Sequence, residues 1–487
     1  MQTDKTTVIK YLPQVFIVIL TVVLGTVLIL LFNGLSLDQV CIATSSWNDE
    51  AGYFNQVAAL VDWNLPRGYF GYSEQTAIYG RLGAWAPPLI YPFALVGKIF
   101  GWTYMTPIYF NLSVWIVAFV IFTIVVRPSV KQQMLAGIAW IGYECTLRYI
   151  FSCTPESLVG ALFMLLVVFI YAYKRDGKDK WLVFADVVLF ILVIMRGYYA
   201  SFSLILIYLA YKGKGKMKGA IVQAIVLLAG IGAFVWLNAY MASPFIINTY
   251  NTDWITNPII LIKRLGKGFL ESLTYIVEGI RLESMRGVWY LLFFLILLYR
   301  FIKSIKEKSM YQFLIFLSEA AIVAANWLIY SPKEGARQVM TIIAIELVFI
   351  ALTETKKIIV IGLILCSFAL TWLSQDSFYS KIPPKDTAQV AIIENAKAML
   401  EDAMVNTDVP WDNTVLVSLS TYHSDLYAIP SYMGQNACLD DYIMENIDNL
   451  KSKYMIVMVD EPIDVFMQDQ GYEIYRSYGQ ANVYLLR

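Results

Sequence analysis

The chain has 487 residues, 58% hydrophobic and 15% charged, with a mean hydropathy of +0.59; soluble proteins carry about 25% charged residues, so this composition belongs in a bilayer. Its 37 basic and 37 acidic residues balance, which leaves no electrostatic reason for a nucleic-acid partner. Five cysteines without CxxC spacing and a single histidine, His423, argue against a zinc site, a disulfide framework or a histidine-based triad.

A spanning helix needs about 20 apolar residues, and Val15 to Phe32 supplies the first, behind Lys5 and Lys10. The run is long and no small-residue cleavage site follows it, so it reads as a signal anchor. Further apolar runs at 107–126, 134–151, 157–173, 181–195, 197–211, 219–241, 288–302, 311–330, 339–352 and 358–373 bring the expected spans to about eleven. Lys and Arg mark cytoplasmic loops. Arg127 and Lys131, "KRDGKDK" (174–180), "KGKGKMK" (212–218), the cluster from Arg300 to Lys308, and Lys356 with Lys357 occupy every second loop.

That parity holds only if "PPLIYPFALVGKIFGW" (87–102) does not cross, so the segment is expected as an interfacial or re-entrant helix. The N-terminus is then cytoplasmic. A long first loop (34–106), the turn "SCTPES" (152–157), the Arg196 turn, a long loop from Ala242 to Arg286, the turn "SPKEGARQ" (331–338) and everything after Leu373 lie outside. Short Lys-rich inner loops and no organellar targeting peptide fit a bacterial plasma membrane.

The transmembrane unit is expected over 1–375 and a polar tail over 376–487. In the tail, 389–404 has helical spacing, "TVLVSLS" (414–420) and "YMIVMVD" (454–460) read as buried strands, and 472–487 reads as a hairpin turning between Tyr478 and Ala481. These elements predict a small extracytoplasmic α/β domain of about 100 residues.

Asp49 and Glu50, in "SSWNDEAGYF" (45–54), fall outside, just beyond the first span. They suit the cap of an interfacial helix, with Asn48 or Asp49 as N-cap. The same face also gathers Glu156, Arg196, Lys333, Glu334 and Arg337, and ionisable groups at membrane depth are costly enough to point to function. A carboxylate facing several cations suits a displacement in which an acceptor hydroxyl or amine loses its proton while a lipid-linked phosphate leaves. A polyprenyl-phosphate sugar can present its head there while its tail stays in lipid.

"WNDEAGYFNQVAALVDWNLPRGYF", followed by "GRLGAWAPPLIYPFALVGKIFGW", resembles the first outer loop of GT-C glycosyltransferases. The similarity is to the branch of dolichyl-phosphate-mannose protein mannosyltransferases and bacterial lipid A aminoarabinose transferases. "CTPESLVGALFMLLV", "LVIMRGYYASFSLIL" and "SPKEGARQVMTIIAIELVFIAL" match further stretches in order. The resemblance implies a polytopic α-helical membrane protein with a small outer α/β domain, moving a sugar from a polyprenyl-phosphate donor to a glycan, lipid or protein acceptor. It makes Asp49 the catalytic base, Glu50 its companion acid and Glu156 a second outer acid that helps arrange acceptor, donor or a metal. Arg196 and Arg337 become candidates for the donor phosphate, with Lys333 beside them.

Where the family pattern has Lys before the proline pair, this chain has Ala86 before Pro87 and Pro88, so either Arg81 or Lys98 takes its place or the donor is held differently. Gly197 replaces Pro after Arg196, and Gln338 replaces Tyr after Arg337. One base and one in-line displacement imply inversion. No organic cofactor is required; a divalent cation between Asp49, Glu156 and the donor phosphate is compatible with the arrangement, although no ligand cluster in the sequence supports one. Trp47, Tyr53, Trp63, Tyr69 and Tyr72 are candidates to stack on sugar faces. The rival readings are a transporter or flippase, which predicts ionisable residues near the midplane, and a membrane scaffold, in which Asp49 is dispensable.

Overall fold

The computed structural model describes residues 12–44, 48–64, 70–72, 87–213, 216–241, 253–329, 332–374, 382–387, 410–418, 423–478 and 480–486, with isolated positions between 390 and 397. In chain order the first part holds α1 (Leu12–Phe32), α2 (Asn48–Trp63), β1 (Phe70–Tyr72), α3 (Pro87–Phe100), α4 (Thr106–Val126), α5 (Val130–Ile141), α6 (Glu144–Arg148), α7 (Glu156–Asp176) and α8 (Asp179–Met195). A 3-10 turn over Gly197–Phe202 leads to α9 (Ser203–Lys212) and α10 (Lys216–Met241). Then come α11 (Pro258–Ile280), α12 (Met285–Lys306), α13 (Met310–Ile329), α14 (Pro332–Thr353) and α15 (Lys357–Leu373).

Among the described residues seven helices, α1, α4, α7, α10, α12, α13 and α14, are long and apolar enough to cross a membrane, and the protein is a multi-pass membrane protein. The apolar stretch of α14 is 89% buried against 11% for α10, so α14 is the central helix and α10 a peripheral one. Ile221, Ile225, Leu228 and Val235 of α10 are exposed, as a lipid-facing surface requires. The basic loops between α4 and α5, α7 and α8, α9 and α10, α12 and α13, and α14 and α15 alternate with connections of the other end, here called the site end.

Not every expected span is one helix. The run 134–151 is broken: α5 opens on a Ser129–Gln132 capping box and stops at Ile141, and α6 starts afresh at Glu144. A helix end inside a bundle leaves carbonyls that lipid cannot satisfy. Here Ser367 and Thr371 of α15 donate to the Gly142 carbonyl at 3.2 and 3.0 Å, and Trp372 Nε1 donates to that of Ile141 at 3.3 Å. The pair 181–195 and 197–211 is α8 and α9 joined through the 3-10 turn.

Helix α3 has 14 residues, about 21 Å of rise, too short for a hydrocarbon core of about 30 Å. It exposes Tyr91, Leu95, Ile99 and Phe100, the stripe of an interfacial helix. The loop expected from Ala242 to Arg286 is corrected by the 23-residue α11. Lys263, Arg264, Lys267, Glu271 and Glu278 interrupt its apolar run, which hides the helix from hydropathy. These charges share the helix with an exposed apolar stripe of Ile259, Ile262, Leu270 and Ile280, as an amphipathic helix requires. It lies across the site ends of α12 and α13, with Arg264 donating to the Leu328 carbonyl at 2.9 Å and Trp327 to Ser272 at 2.9 Å. A Cβ on Gly279 would come within 2.3 Å of the Gly287 backbone, so only glycine permits this crossing of α11 and α12.

The tail strands are β2 (Thr414–Ser418), β3 (Gly434–Cys438), β4 (Tyr454–Met458), β5 (Ile474–Tyr478) and β6 (Ala481–Leu485), with α16 (Asp440–Asn446) and α17 (Pro462–Asp469) between them. The sheet order is β1-β3-β2-β4-β6-β5, with β1, β3, β2 and β4 parallel and the β5–β6 hairpin antiparallel. The expected strands at 414–420 and 454–460 and the hairpin are present. Strand β3, "GQNAC", escaped notice because it is polar, and β1 because it comes from the first loop. Of the expected helix over 389–404, the described positions 390, 391, 393, 394 and 397 are helical and the others lie outside the described residues.

Period-two alternation sends Leu416, Met455, Val457 and Tyr484 to one face, under Ile443 of α16 and Ile463 and Met467 of α17. Val415, Val417, Ile456 and Val483 go to the other, which joins the main core through Leu426 and Tyr427. Burial on both faces explains why β2 and β4 read as continuous apolar runs. Helix α2 is the seam: the Phe54 ring packs tilted against Tyr427 with centroids 5.3 Å apart, Asn55 donates to the Leu426 carbonyl at 2.8 Å, and Trp63 donates to Ser431 at 3.2 Å.

Candidate active site

Asp49 and Glu50 occupy the first turn of α2. The helix begins at Asn48, which moves the N-cap position to 47, outside the described residues. Successive helical residues point about 100° apart, so the two carboxylates diverge. Asp49 Oδ2 meets Arg337 Nη1 at 3.0 Å, with side chains 29% and 25% exposed. Glu50 turns inward, and its Oε1 accepts from Arg148 Nη1 at 2.8 Å with both side chains sealed from solvent.

Glu156 opens α7 directly after Pro155, where the helix dipole favours a negative charge. Its Oε1 accepts from Arg196 Nη2 at 2.7 Å. Arg196 sits at the end of α8 in extended conformation, so the helix stops there and the guanidinium is delivered sideways. A Cβ at Gly197 would meet the Phe234 ring at 3.0 Å, so the glycine lets α10 close against this turn.

The N-terminal turns of α14 tie the two pairs together. Arg337 reaches Asp49, and Gln338, one position on, accepts from both Arg196 Nη1 and Tyr198 Oη. Tyr53, one turn along α2 from Asp49, is buried and has Glu156, Arg196, Asp49 and Arg337 as its charged neighbours. Burial first, and then the Glu156 charge, push its hydroxyl well above the ordinary tyrosine range, so it remains a proton donor. The result is a neutral quartet of two carboxylates and two guanidiniums, drawn from α2, α7, α8 and α14.

One buried amide holds the underlying turn. Asn111 Nδ2 of α4 reaches the carbonyls of Tyr149, Ile150 and Ser152 at 3.2, 3.1 and 2.7 Å, fixing the segment between Arg148 and Glu156. Of the residues expected at the site, Asp49, Glu156, Arg196 and Arg337 converge. Glu50 is set apart by its pairing with Arg148. Lys98 donates to Asn64, beyond the opposite end of α2, roughly 20 Å from Asp49 by helical rise, so it does not replace the missing lysine. Arg81 lies outside the described residues, as does the side chain of Lys333, whose backbone is in the first turn of α14. Among the aromatics, Tyr53 is in the site and Trp63 braces the tail; Trp47 and Tyr69 and the Tyr72 side chain lie outside the described residues. Sequence reasoning missed Arg148, Asn111 and Tyr198, and treated Gln338 only as a departure from a pattern. An arginine and an asparagine inside apolar runs were the available signals.

No family profile and no curated protein matches the sequence. Solved structures do. The chain is similar to ArnT from Cupriavidus metallidurans bound to undecaprenyl phosphate, with a TM-score of 0.54 at 9% identity over 96% of this chain and 98% of that one. It is also similar to the Archaeoglobus fulgidus oligosaccharyltransferase in complex with Zn and sulfate, at TM-score 0.51, 12% identity and coverage of 95% and 73%. The same enzyme tethered to an acceptor peptide gives 0.52, 12%, 97% and 74%. The chain has the GT-C fold. Within that fold the quartet occupies the site end of the bundle, where α2, α7, α8 and α14 meet.

Among the described residues no three His, Cys, Asp or Glu side chains converge, and Asp49 and Glu156 each already face an arginine. Among the described residues the quartet draws its positive charge from the two guanidinium groups.

Proposed function

We propose that this GT-C protein is a glycosyltransferase that takes a sugar from a polyprenyl-phosphate donor and transfers it, with inversion, to an acceptor at the extracytoplasmic side of the membrane. The observation that carries the reading is the Asp49–Arg337 pair beside the Glu156–Arg196 pair. Undecaprenyl phosphate bound to ArnT and an acceptor peptide tethered to the oligosaccharyltransferase support donor and acceptor classes of this kind. The basic loops at the opposite end support a cytoplasmic N-terminus and an outer site.

In this reading the donor phosphate engages Arg337 and Arg196. Arg337 is the more exposed partner, so an arriving phosphate competes for it and releases Asp49. Asp49 then takes the proton from the acceptor hydroxyl or amine. The acceptor atom bonds to the anomeric carbon from the face opposite the phosphate, and the anomeric C–O bond breaks with its electron pair passing to the phosphate. The guanidiniums stabilise the charge gathering there. Glu156 holds Arg196 in place, and Glu50 acts at a distance by fixing Arg148.

The test is transfer of radiolabelled sugar from isolated polyprenyl-phosphate donors, comparing the native protein with Asp49→Asn at matched insertion. Loss of transfer with retained folding supports Asp49 as the base. Unchanged transfer defeats that assignment, and no transfer by the native protein from any such donor favours a transporter or scaffold.

A further inference from the structure

On the bundle side of Glu156 lies a small cavity, about 10 Å³ for the centre of a water-sized molecule, lined by Trp115, Glu156, Ser157, Gly160, Met340 and Thr341 among others. Trp115, Glu156, Ser157 and Thr341 are all at least nine-tenths buried. Among the described residues, Trp115 Nε1, Glu156 Oε2 and Ser157 Oγ find no hydrogen-bond partner, and the Thr341 hydroxyl, within hydrogen-bonding reach of Tyr199, also lines the space. Thr154 also donates to the Glu156 carboxylate and meets the Ser152 hydroxyl at 2.8 Å, which leaves Oε2 as the unpartnered oxygen. Leaving a buried polar atom unsatisfied is costly, so three around one small space call for an occupant.

The chemistry of the lining selects it. The Trp115 N–H only donates, the Glu156 carboxylate only accepts, and the two hydroxyls do either. A cation would face the indole N–H, and an anion would face the carboxylate. A water accepts from the first and donates to the second, and buried waters make about three hydrogen bonds. We propose that a single water is bound here, linking Trp115 Nε1 to Glu156 Oε2 with a further bond to Thr341 or Ser157, and that Trp115 and Thr341 are thereby positioning residues for Glu156. Gly160 makes the site possible, because a Cβ there would lie 3.0 Å from Trp115 Cζ2.

This inference rests on the reading of Glu156 as a site carboxylate. With Oε1 on Arg196 and Oε2 on the water, the carboxylate is gripped from both sides and keeps Arg196 aimed at the donor phosphate. The test is X-ray radiolysis of the full-length protein in detergent in ¹⁸O-water, which oxidises side chains beside bound waters even in the interior. Met340 and Trp115 are expected to take up label several-fold faster than Trp289, which is also fully buried but whose N–H is satisfied by Cys145 at 2.6 Å. Thr341→Val and Trp115→Phe should bring Met340 down several-fold toward the Trp289 rate, whereas Thr341→Ser, which keeps the hydroxyl, should retain native labelling. In transfer assays Trp115→Phe and Thr341→Val should lower kcat several-fold with little change in acceptor KM, and Thr341→Ser should restore it. Native Met340 and Trp115 labelled no faster than Trp289 would overturn the water site even if the protein transfers sugar. Fast labelling in a protein without transferase activity would instead uphold the water and defeat the role given to Glu156.

Discussion

The Asp49–Arg337 pair at the site end and the charged groups sealed between α12, α13 and α14 use the same residue types in opposite ways. Asp49 and Arg337 meet with a quarter of each side chain still exposed, within reach of a ligand. Arg300 and Glu346 are paired with 4% and 3% of their side chains exposed, capped by Gln312 at 3.1 Å, with Glu319 fully buried beside them. A partly open pair is worth about 0–1 kcal/mol and can exchange its partner at little cost. Removing one member of a sealed pair leaves an uncompensated charge and costs about 3–5 kcal/mol. Exposure, not residue type, distinguishes an exchangeable site from a fixed brace.

The largest effect expected is functional and confined to the open pair. Asp49→Asn should reduce sugar transfer about 10²- to 10⁴-fold while thermal unfolding in detergent changes by less than about 1 kcal/mol. A large stability loss would erase the contrast. The sealed pair should behave in reverse: Arg300→Met is expected to destabilise by about 3–5 kcal/mol, and Arg300→Met with Glu346→Met to recover most of that loss. A single variant as stable as the native protein would break the comparison.

Glu50 sharpens it, because it adjoins Asp49 in sequence. Glu50→Gln should follow the sealed class, losing roughly 3 kcal/mol with transfer per folded molecule largely kept; selective loss of transfer would return it to the role of a companion acid. Gln338→Ala, which frees Arg196 and Tyr198, should lower transfer about 10- to 100-fold, the worth of a hydrogen bond to a charged group, with Arg337→Lys as the comparison at the exchangeable arginine.

The smallest effect is in the tail. Asp464 is buried and accepts from Tyr484 at 2.6 Å, Asn482 at 2.9 Å, the Asp460 N–H at 3.0 Å and Gln468 at 3.2 Å. Burial raises its pKa, but these donors outweigh it and hold the carboxyl below its ordinary value. A carboxyl depressed on folding adds stability above its unfolded pKa of about 3.9, and that stability is lost as pH falls through the folded value. Asp464→Asn should therefore flatten the acid side of the unfolding profile and leave transfer at neutral pH unchanged.

Much of the architecture was legible because it rests on local properties. Hydropathy marked the long helices, and the placement of Lys and Arg separated the two ends. Alternation on two buried faces marked β2 and β4. The misses share one cause: α11 mixes charges into an apolar pattern, β3 is polar, and β1 belongs to a loop, so each is stabilised by neighbours distant in sequence. At the site, Asp49, Glu156, Arg196 and Arg337 were legible as ionisable residues at the mouths of apolar runs. Gln338 was visible only as a mismatch, and Asn111 and Arg148 were hidden inside spans.

The sequence by itself determined a polytopic chain with Asp49, Glu156, Arg196 and Arg337 at one end and its lysine-rich loops at the other, because burial energy and loop charge act over a few residues at a time. Only the tertiary structure decided that Asp49 faces Arg337 while Glu50, its neighbour, is locked to Arg148, that Gln338 bridges the two arginine pairs, and that the first loop adds a strand to the tail sheet. Those choices depend on where helices far apart in the chain come to rest, and on the 100° step that sends adjacent side chains of one helix into different surroundings.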